Sequence, residues 1–160
     1  HTDISAWRRQ SHLRQVVIFL WIWVGRVMPE YRLAIRVYIE DTDAGGIVYY
    51  VNYLKYFERA RTELIRSLGV DKTAVMEDGS VFVVTSAAID YHAPARLDDQ
   101  LEAVAEVVNS GAATIEFRQS VVRSGIELAS GRVRVALTDG TSGKPKRMPK
   151  GLRELLTQST

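Results

Sequence analysis

Residues 52 to 68, NYLKYFERARTELIRSL, carry one broad apolar stripe at helical spacing, and this stripe constrains the fold more than any other feature of the chain. Tyr53, Phe57, Ala60, Leu64 and Leu68 recur at intervals of three and four, and Leu54, Tyr56 and Ile65 widen the stripe. Asn52 stands where an N-cap is expected, and Gly69 supplies a stop signal. A helix this apolar must be wrapped by other structure.

The rest of the chain offers strands to wrap it. Residues 31 to 39, YRLAIRVYI, are rich in β-branched and aromatic types and predict a first strand. Four more strand-like segments follow a polar connection, at about 81–92, 100–109, 113–123 and 126–138. In LEAVAEVV, Glu102, Val104 and Glu106 alternate with Leu101, Ala103 and Ala105. In RVRVAL, Arg132 and Arg134 alternate with Val133 and Val135. Period two with one wet face indicates an antiparallel sheet. Ser110-Gly111 and Ser124-Gly125 make turns. Pro149 opens a short C-terminal helix reaching about Leu156. The order is strand, helix, then four strands in a meander-like run. That is an α+β pattern, with one antiparallel sheet curled around one helix.

At 160 residues the chain suits one domain with one core. It has no cysteine, which excludes disulfides and thiolate chemistry. Only His1, His12 and His92 supply imidazole, far apart in sequence, so no metal site is expected. The net charge is +2, but residues 1 to 27 hold Arg8, Arg9, Arg14 and Arg26 against Asp3 alone. The remainder therefore sums to −1. A near-neutral body with local basic clusters argues against nucleic-acid binding.

Residues 1 to 27 read apart from the domain, which is expected over 28–160. A basic stretch, WRRQSHLR, precedes the apolar run Val16 to Val24. Nine apolar residues are too few to cross a bilayer, which takes roughly 20. Met28 reads as a natural start, making 1–27 an N-terminal extension, leader or artefact. Membrane contact is expected only if that segment is native; a segment docked on the domain or a partner is the other reading. A cytoplasmic location is expected for the domain.

The stretch that carries chemistry is Glu40 to Glu63, EDTDAGGIVYYVNYLKYFERARTE. Three acids, Glu40, Asp41 and Asp43, precede two glycines and the helix start. A helix N-terminus presents unpaired N–H groups and partial positive charge. Glycines let the backbone come close to a ligand. A carboxylate beside such a site can attack a thioester or activate a water, while backbone N–H groups hold the oxyanion. Acids near a helix start also stabilise it without any function.

This stretch, with NYLKYFERARTE, YHAPARLDD and KPKRMPK, resembles the YbgC-type acyl-CoA thioesterases of the 4-hydroxybenzoyl-CoA thioesterase family over about residues 33 to 153. The resemblance implies a hotdog fold, a five-stranded antiparallel sheet wrapped around one long central helix. It implies an acyl-CoA thioesterase that needs no cofactor. Asp43 matches the catalytic acid, acting as nucleophile or general base, and the backbone N–H of Tyr50 matches the group that polarises the thioester carbonyl. Gly45, Gly46, Ile47, Val48 and Tyr49 line the substrate loop. Glu58 is a candidate facing the site, or else a surface partner of Arg61 or Thr62. Arg59 and Arg96, with the cluster Lys144, Lys146 and Arg147, are candidates for the CoA phosphates. The resemblance also implies a homodimer joining two sheets, or a homotetramer, with the site at the interface. Many YbgC-type members have His where this chain has Tyr50, which bears on substrate preference and on any side-chain base.

Rival chemistries lack their motifs. There is no G-x-S-x-G for a serine hydrolase, and Gly143-Lys144-Pro145 is no P-loop. A hotdog dehydratase would use a His near the helix start, and none is there. The alternative from another class is a non-catalytic acyl-binding or scaffold protein linked to the Tol–Pal envelope system or phospholipid synthesis. Acyl carrier protein is a possible partner under either reading.

Overall fold

The computed structural model describes residues 28–70 and 76–157; residues 1–27, expected to be an extension, leader or artefact, lie outside the described residues. Five strands form one sheet: β1 (Glu30–Arg36), β2 (Ser80–Tyr91), β3 (Gln100–Ser110), β4 (Thr114–Arg123) and β5 (Ile126–Asp139). Helix α1 (Asn52–Ser67) lies between β1 and β2 in sequence, and α2 (Lys150–Thr157) follows β5. Every pairing is antiparallel, in the order β1-β3-β4-β5-β2. Register shifts interrupt β2–β5, β3–β4 and β4–β5. Such irregularities bend strands and let a sheet curl around a helix.

Helix α1 is held in the curl by its stripe. Tyr53, Tyr56, Phe57, Ala60, Leu64 and Ile65 are buried, against Leu101, Ile115, Phe117, Val133 and Leu137 from the sheet. Each fully buried Leu or Phe contributes about 1.5–3 kcal/mol. Leu54, expected to widen the stripe, faces outward. Near the helix middle the sheet comes very close. Gly131 of β5 faces Phe57, where a Cβ would meet the ring at 3.1 Å. Beside it the buried Gln119 of β4 donates to the Phe57 carbonyl at 2.8 Å and accepts from Arg61 at 2.9 Å. Burial lowers the pKa of Arg61, opposed by the charge of Glu58. Helix α2 packs Leu152 and Leu156 into the same core, against β3.

Three sequence expectations need correction. The run 31–39 is not one strand, because β1 ends at Arg36 and Ile39–Asp41 form a 3₁₀ turn. The four later strands are not one meander: β3–β4–β5 are, whereas β2 crosses to the far edge and pairs with β5. Asn52 is not a side-chain N-cap. Val51 holds the cap position in helical conformation, and the Asn52 amide bonds elsewhere.

Candidate active site

The acidic segment folds into a small ribbon ahead of α1. Val37 pairs with Asp98 and Asp99 through two backbone bonds, which fixes the chain as it leaves β1. The Tyr38 N–H then donates to the Asp41 carboxylate at 2.8 Å and closes the 3₁₀ turn. The Asp41 carbonyl accepts from the Tyr49 N–H at 2.9 Å and from the Asn52 side-chain amide at 2.8 Å. Asp41 thus ties together the loop entry, the loop exit and the first residue of α1, as an orienting residue would. Thr42 and Val48 bridge above it, and Asp43 N–H donates to the Ile47 carbonyl at 2.9 Å.

Asp43 sits at the tip, exposed. The Gly45 N–H donates to its Oδ1 at 2.8 Å, and the Gly46 N–H to its carbonyl at 3.0 Å. Gly46 needs to be glycine because its φ is +74°. Among the described residues, Oδ2 of Asp43 has no hydrogen-bond partner and is free to meet a carbon or a water.

The far side of the ribbon runs into the helix. Val48 N–H donates to the Ala95 carbonyl, and Ile47 bridges Arg96, which brings Arg96 beside the loop. Asp99 accepts from the Arg96 N–H and pairs with Arg123, which also reaches the Pro94 carbonyl. The Tyr53 hydroxyl accepts from Ala95 N–H at 3.1 Å. Tyr49 and Tyr50 are exposed, with rings in edge contact at 4.9 Å. The Tyr50 N–H has no acceptor among the described residues. The first turn of α1 holds no acid, so the positive end of its dipole is not offset there.

The remaining candidates divide. Ile47, Val48 and Tyr49 belong to the ribbon with Gly45 and Gly46. Glu58 is exposed and accepts from Thr62 at 3.0 Å, the surface pairing that helix spacing allows. Arg59 is exposed with its guanidinium 5.9 Å from the Tyr56 ring centre. Lys146 is held by Asp78 at 2.9 Å, whereas the neighbouring Arg147 is exposed. His92 meets the Ser130 hydroxyl at 2.8 Å. A concavity lined by Ala88, Asp90, Arg118 and Arg132, among others, contains none of the loop residues. Among the described residues, no group of three or more His, Asp or Glu could hold a metal ion. No described helix is long and apolar enough to cross a membrane.

Sequence reasoning left out Tyr91, whose hydroxyl donates to the Tyr50 carbonyl at 2.9 Å. It also left out the Arg123–Asp99 pair behind Arg96. Period two along β2 carried the signal for Tyr91, since it puts Tyr91 on the same face as the partly buried Ile89.

An antiparallel sheet curled around one helix, with an acid–glycine turn at the helix start, defines a hotdog protein of the thioesterase type. The thioesterase-like superfamily model matches residues 37–156. The acyl-CoA thioesterase YbgC of Haemophilus influenzae is 44% identical over 120 residues, 74% of this chain and 88% of that protein. The acyl-CoA thioester hydrolase YbgC of Escherichia coli is 39% identical over 123 residues, 76% of this chain and 92% of that protein. A probable thioesterase from Bartonella henselae superposes with a TM-score of 0.71 at 31% identity, covering 75% of this chain and 99% of that one. The chain belongs to the thioesterase-like superfamily, as a member of its YbgC family.

Proposed function

We propose that this protein hydrolyses acyl-CoA thioesters with the Asp43 carboxylate, and that the Tyr50 N–H at the start of α1 receives the developing oxyanion. The observation that carries the reading is the ribbon itself. One carboxylate oxygen is fixed by Gly45, the other is free, and an unpaired N–H follows at the positive end of a helix. A donor fixed in advance at a developing oxyanion is usually a large contribution to acyl transfer.

Two routes balance. As nucleophile, Oδ2 of Asp43 bonds to the thioester carbon, the C–S bond breaks, and CoA leaves as its thiolate. Water then hydrolyses the mixed anhydride. As general base, Asp43 takes a proton from water while the water oxygen attacks the same carbon and the thiolate leaves. Arg96, which bridges Ile47 of the loop, and the exposed Arg147 are the candidate cations for CoA phosphates; Lys146 is already paired with Asp78. An acyl group on acyl carrier protein presents the same thioester to the same loop. A cytoplasmic location suits this reading, because CoA thioesters are available there.

A homodimer fits this reading. β2 is an edge strand of 12 residues with Val83 and Val84 exposed at 39% and 54%. A long unpaired edge invites another strand. Pairing β2 with its copy would join two sheets and bring a second subunit beside Tyr91 and the loop. A tetramer would pair two such dimers.

Thiol release from a panel of acyl-CoAs, with wild type and Asp43→Asn side by side, tests the function. Asp43→Asn removes the charge and keeps the shape, so kcat should fall on the order of 10³-fold with folding intact. A variant as active as wild type would remove Asp43 from the mechanism. A wild type inert on every acyl-CoA would leave acyl carrier protein substrates or a scaffold role.

A further inference from the structure

We infer that Tyr91 is a positioning residue for the reaction, holding the Tyr50 main chain through a hydrogen bond from its hydroxyl to the Tyr50 carbonyl. The inference rests on the proposed role of the Tyr50 N–H.

Residues 91 to 95 grip the helix start at three points. The Tyr91 hydroxyl donates to the Tyr50 carbonyl at 2.9 Å. The Ala95 carbonyl accepts from Val48 N–H at 2.8 Å, and the Ala95 N–H donates to the Tyr53 hydroxyl at 3.1 Å. The grip is anchored in the sheet, because His92 and Ala93 both donate to the Leu128 carbonyl of β5, at 2.8 and 3.1 Å. Of these contacts, the Tyr91 bond alone reaches the Tyr50 carbonyl.

The two peptide planes of Tyr50 are held separately: the plane carrying its N–H is tied by the Asn52 N–H to the Tyr49 carbonyl at 2.8 Å, and the plane carrying its carbonyl is tied by Tyr91. The Tyr50 side chain is exposed, and its carbonyl precedes α1 and accepts no backbone N–H. With the Tyr49 carbonyl held by Asn52 on one side, a Tyr50 carbonyl fixed by the phenol on the other restricts rotation about the φ and ψ bonds of Tyr50, and so steadies the N–H between them. The rings add direction, since Tyr91 meets Tyr50 edge-on at 6.2 Å and Tyr53 at 5.3 Å. Such pairs prefer this geometry. Burial, with the neighbouring Tyr50 and Tyr53, raises the Tyr91 pKa above the ordinary phenol value. The hydroxyl therefore stays protonated and able to donate.

Tyr91→Phe keeps the ring and removes the one bond. Thiol release by the variant should show kcat lower on the order of tenfold with KM within about twofold, since a small misplacement of a reacting group is costly while substrate contacts are untouched. Its thermal midpoint should match wild type. The Val51 amide resonance, from the peptide unit whose carbonyl loses its partner, should move. A Tyr91→Phe variant with the wild-type kcat overturns this role and leaves the thioesterase reading standing. A loss of activity that merely follows a lowered thermal midpoint also overturns it. A wild type that hydrolyses neither acyl-CoA nor acyl carrier protein thioesters overturns both.

Discussion

The Gly45 N–H donates to Oδ1 of Asp43 at 2.8 Å, and a Cβ on Gly45 would stand 3.1 Å from that same oxygen. A methyl at 45 would crowd the carboxylate and make it shift by a few tenths of an ångström, whereas at 46 glycine is needed for a left-handed backbone. The two positions should therefore fail differently. Gly45→Ala should fold normally and lose on the order of tenfold in kcat/KM, because the methyl turns the carboxylate away from its line of attack. Gly46→Ala should lose stability, by about 1–2 kcal/mol from the strained φ. Thiol-release kinetics and urea melts on both variants check this; Gly45→Ala at full activity would show that the carboxylate angle is unimportant.

Gly131, the one glycine within the five described strands, should tolerate no side chain. A Cβ there would lie 2.3 Å from the Ala88 carbonyl oxygen and 3.1 Å from the Phe57 ring. The obstructing group is backbone of β2, so relief requires the edge strand to shift. Gly131→Ala should cost about 1–3 kcal/mol by overpacking, read as a lower urea midpoint. An unchanged midpoint would mean that β2 moves freely against β5.

Acid should loosen the turn at Asp78 ahead of β2 and the turn at Asp139 that ends β5, which the Asp78–Lys146 pair ties together. The Ser80 hydroxyl and N–H, followed by Lys146, hold the Asp78 carboxyl well below the usual carboxylate range. The Ser142 and Thr141 N–H groups do the same, less strongly, for Asp139. A depressed folded-state pKa stabilises the fold above the unfolded value, about 3.9, and that stability is lost as pH falls through the folded value. The thermal midpoint should therefore drop below about pH 4. Asp78→Asn should lower it at neutral pH and flatten the acid slope. Parallel slopes in the two proteins would assign acid unfolding to other carboxylates.

What the sequence made legible, and what it hid, follows from the range of the interactions. The α1 stripe and the alternation in β3 and β5 are local patterns, and the structure shows them where they were expected, apart from Leu54, which faces outward, and Val104, which is buried although it was expected on the wet face of β3. The end of β1 was hidden because YRLAIRVYI keeps strand composition through Ile39. The chain turns there because the Asp41 carboxylate captures the Tyr38 N–H, leaving Ile39 exposed. The place of β2 at the far edge depends on pairing with β5 across some fifty residues, which no local pattern encodes. The acid–glycine motif was plain as a string. Its partners Ala95, Arg96 and Tyr91 come from another part of the chain and appear only once the ribbon and the sheet are folded.

Asn52 separates a local from a tertiary explanation of one residue. As an N-cap it would be replaceable by Asp, which caps about as well and suits the positive end of a helix. In the structure its amide instead donates to the Asp41 carbonyl, a contact that a carboxylate cannot supply. Asn52→Ala should then cost about 0.5–1.5 kcal/mol for the lost bond. Asn52→Asp should cost more, because it sets a charged acceptor against a carbonyl in a nearly buried position. Both variants should lose kcat, since Asp41 joins the loop exit to the helix start. Urea melts and thiol release together decide the matter: an Asp variant at least as stable as the Ala variant would restore the capping role, and the order Asn, Ala, Asp would place the stability in the bond to Asp41.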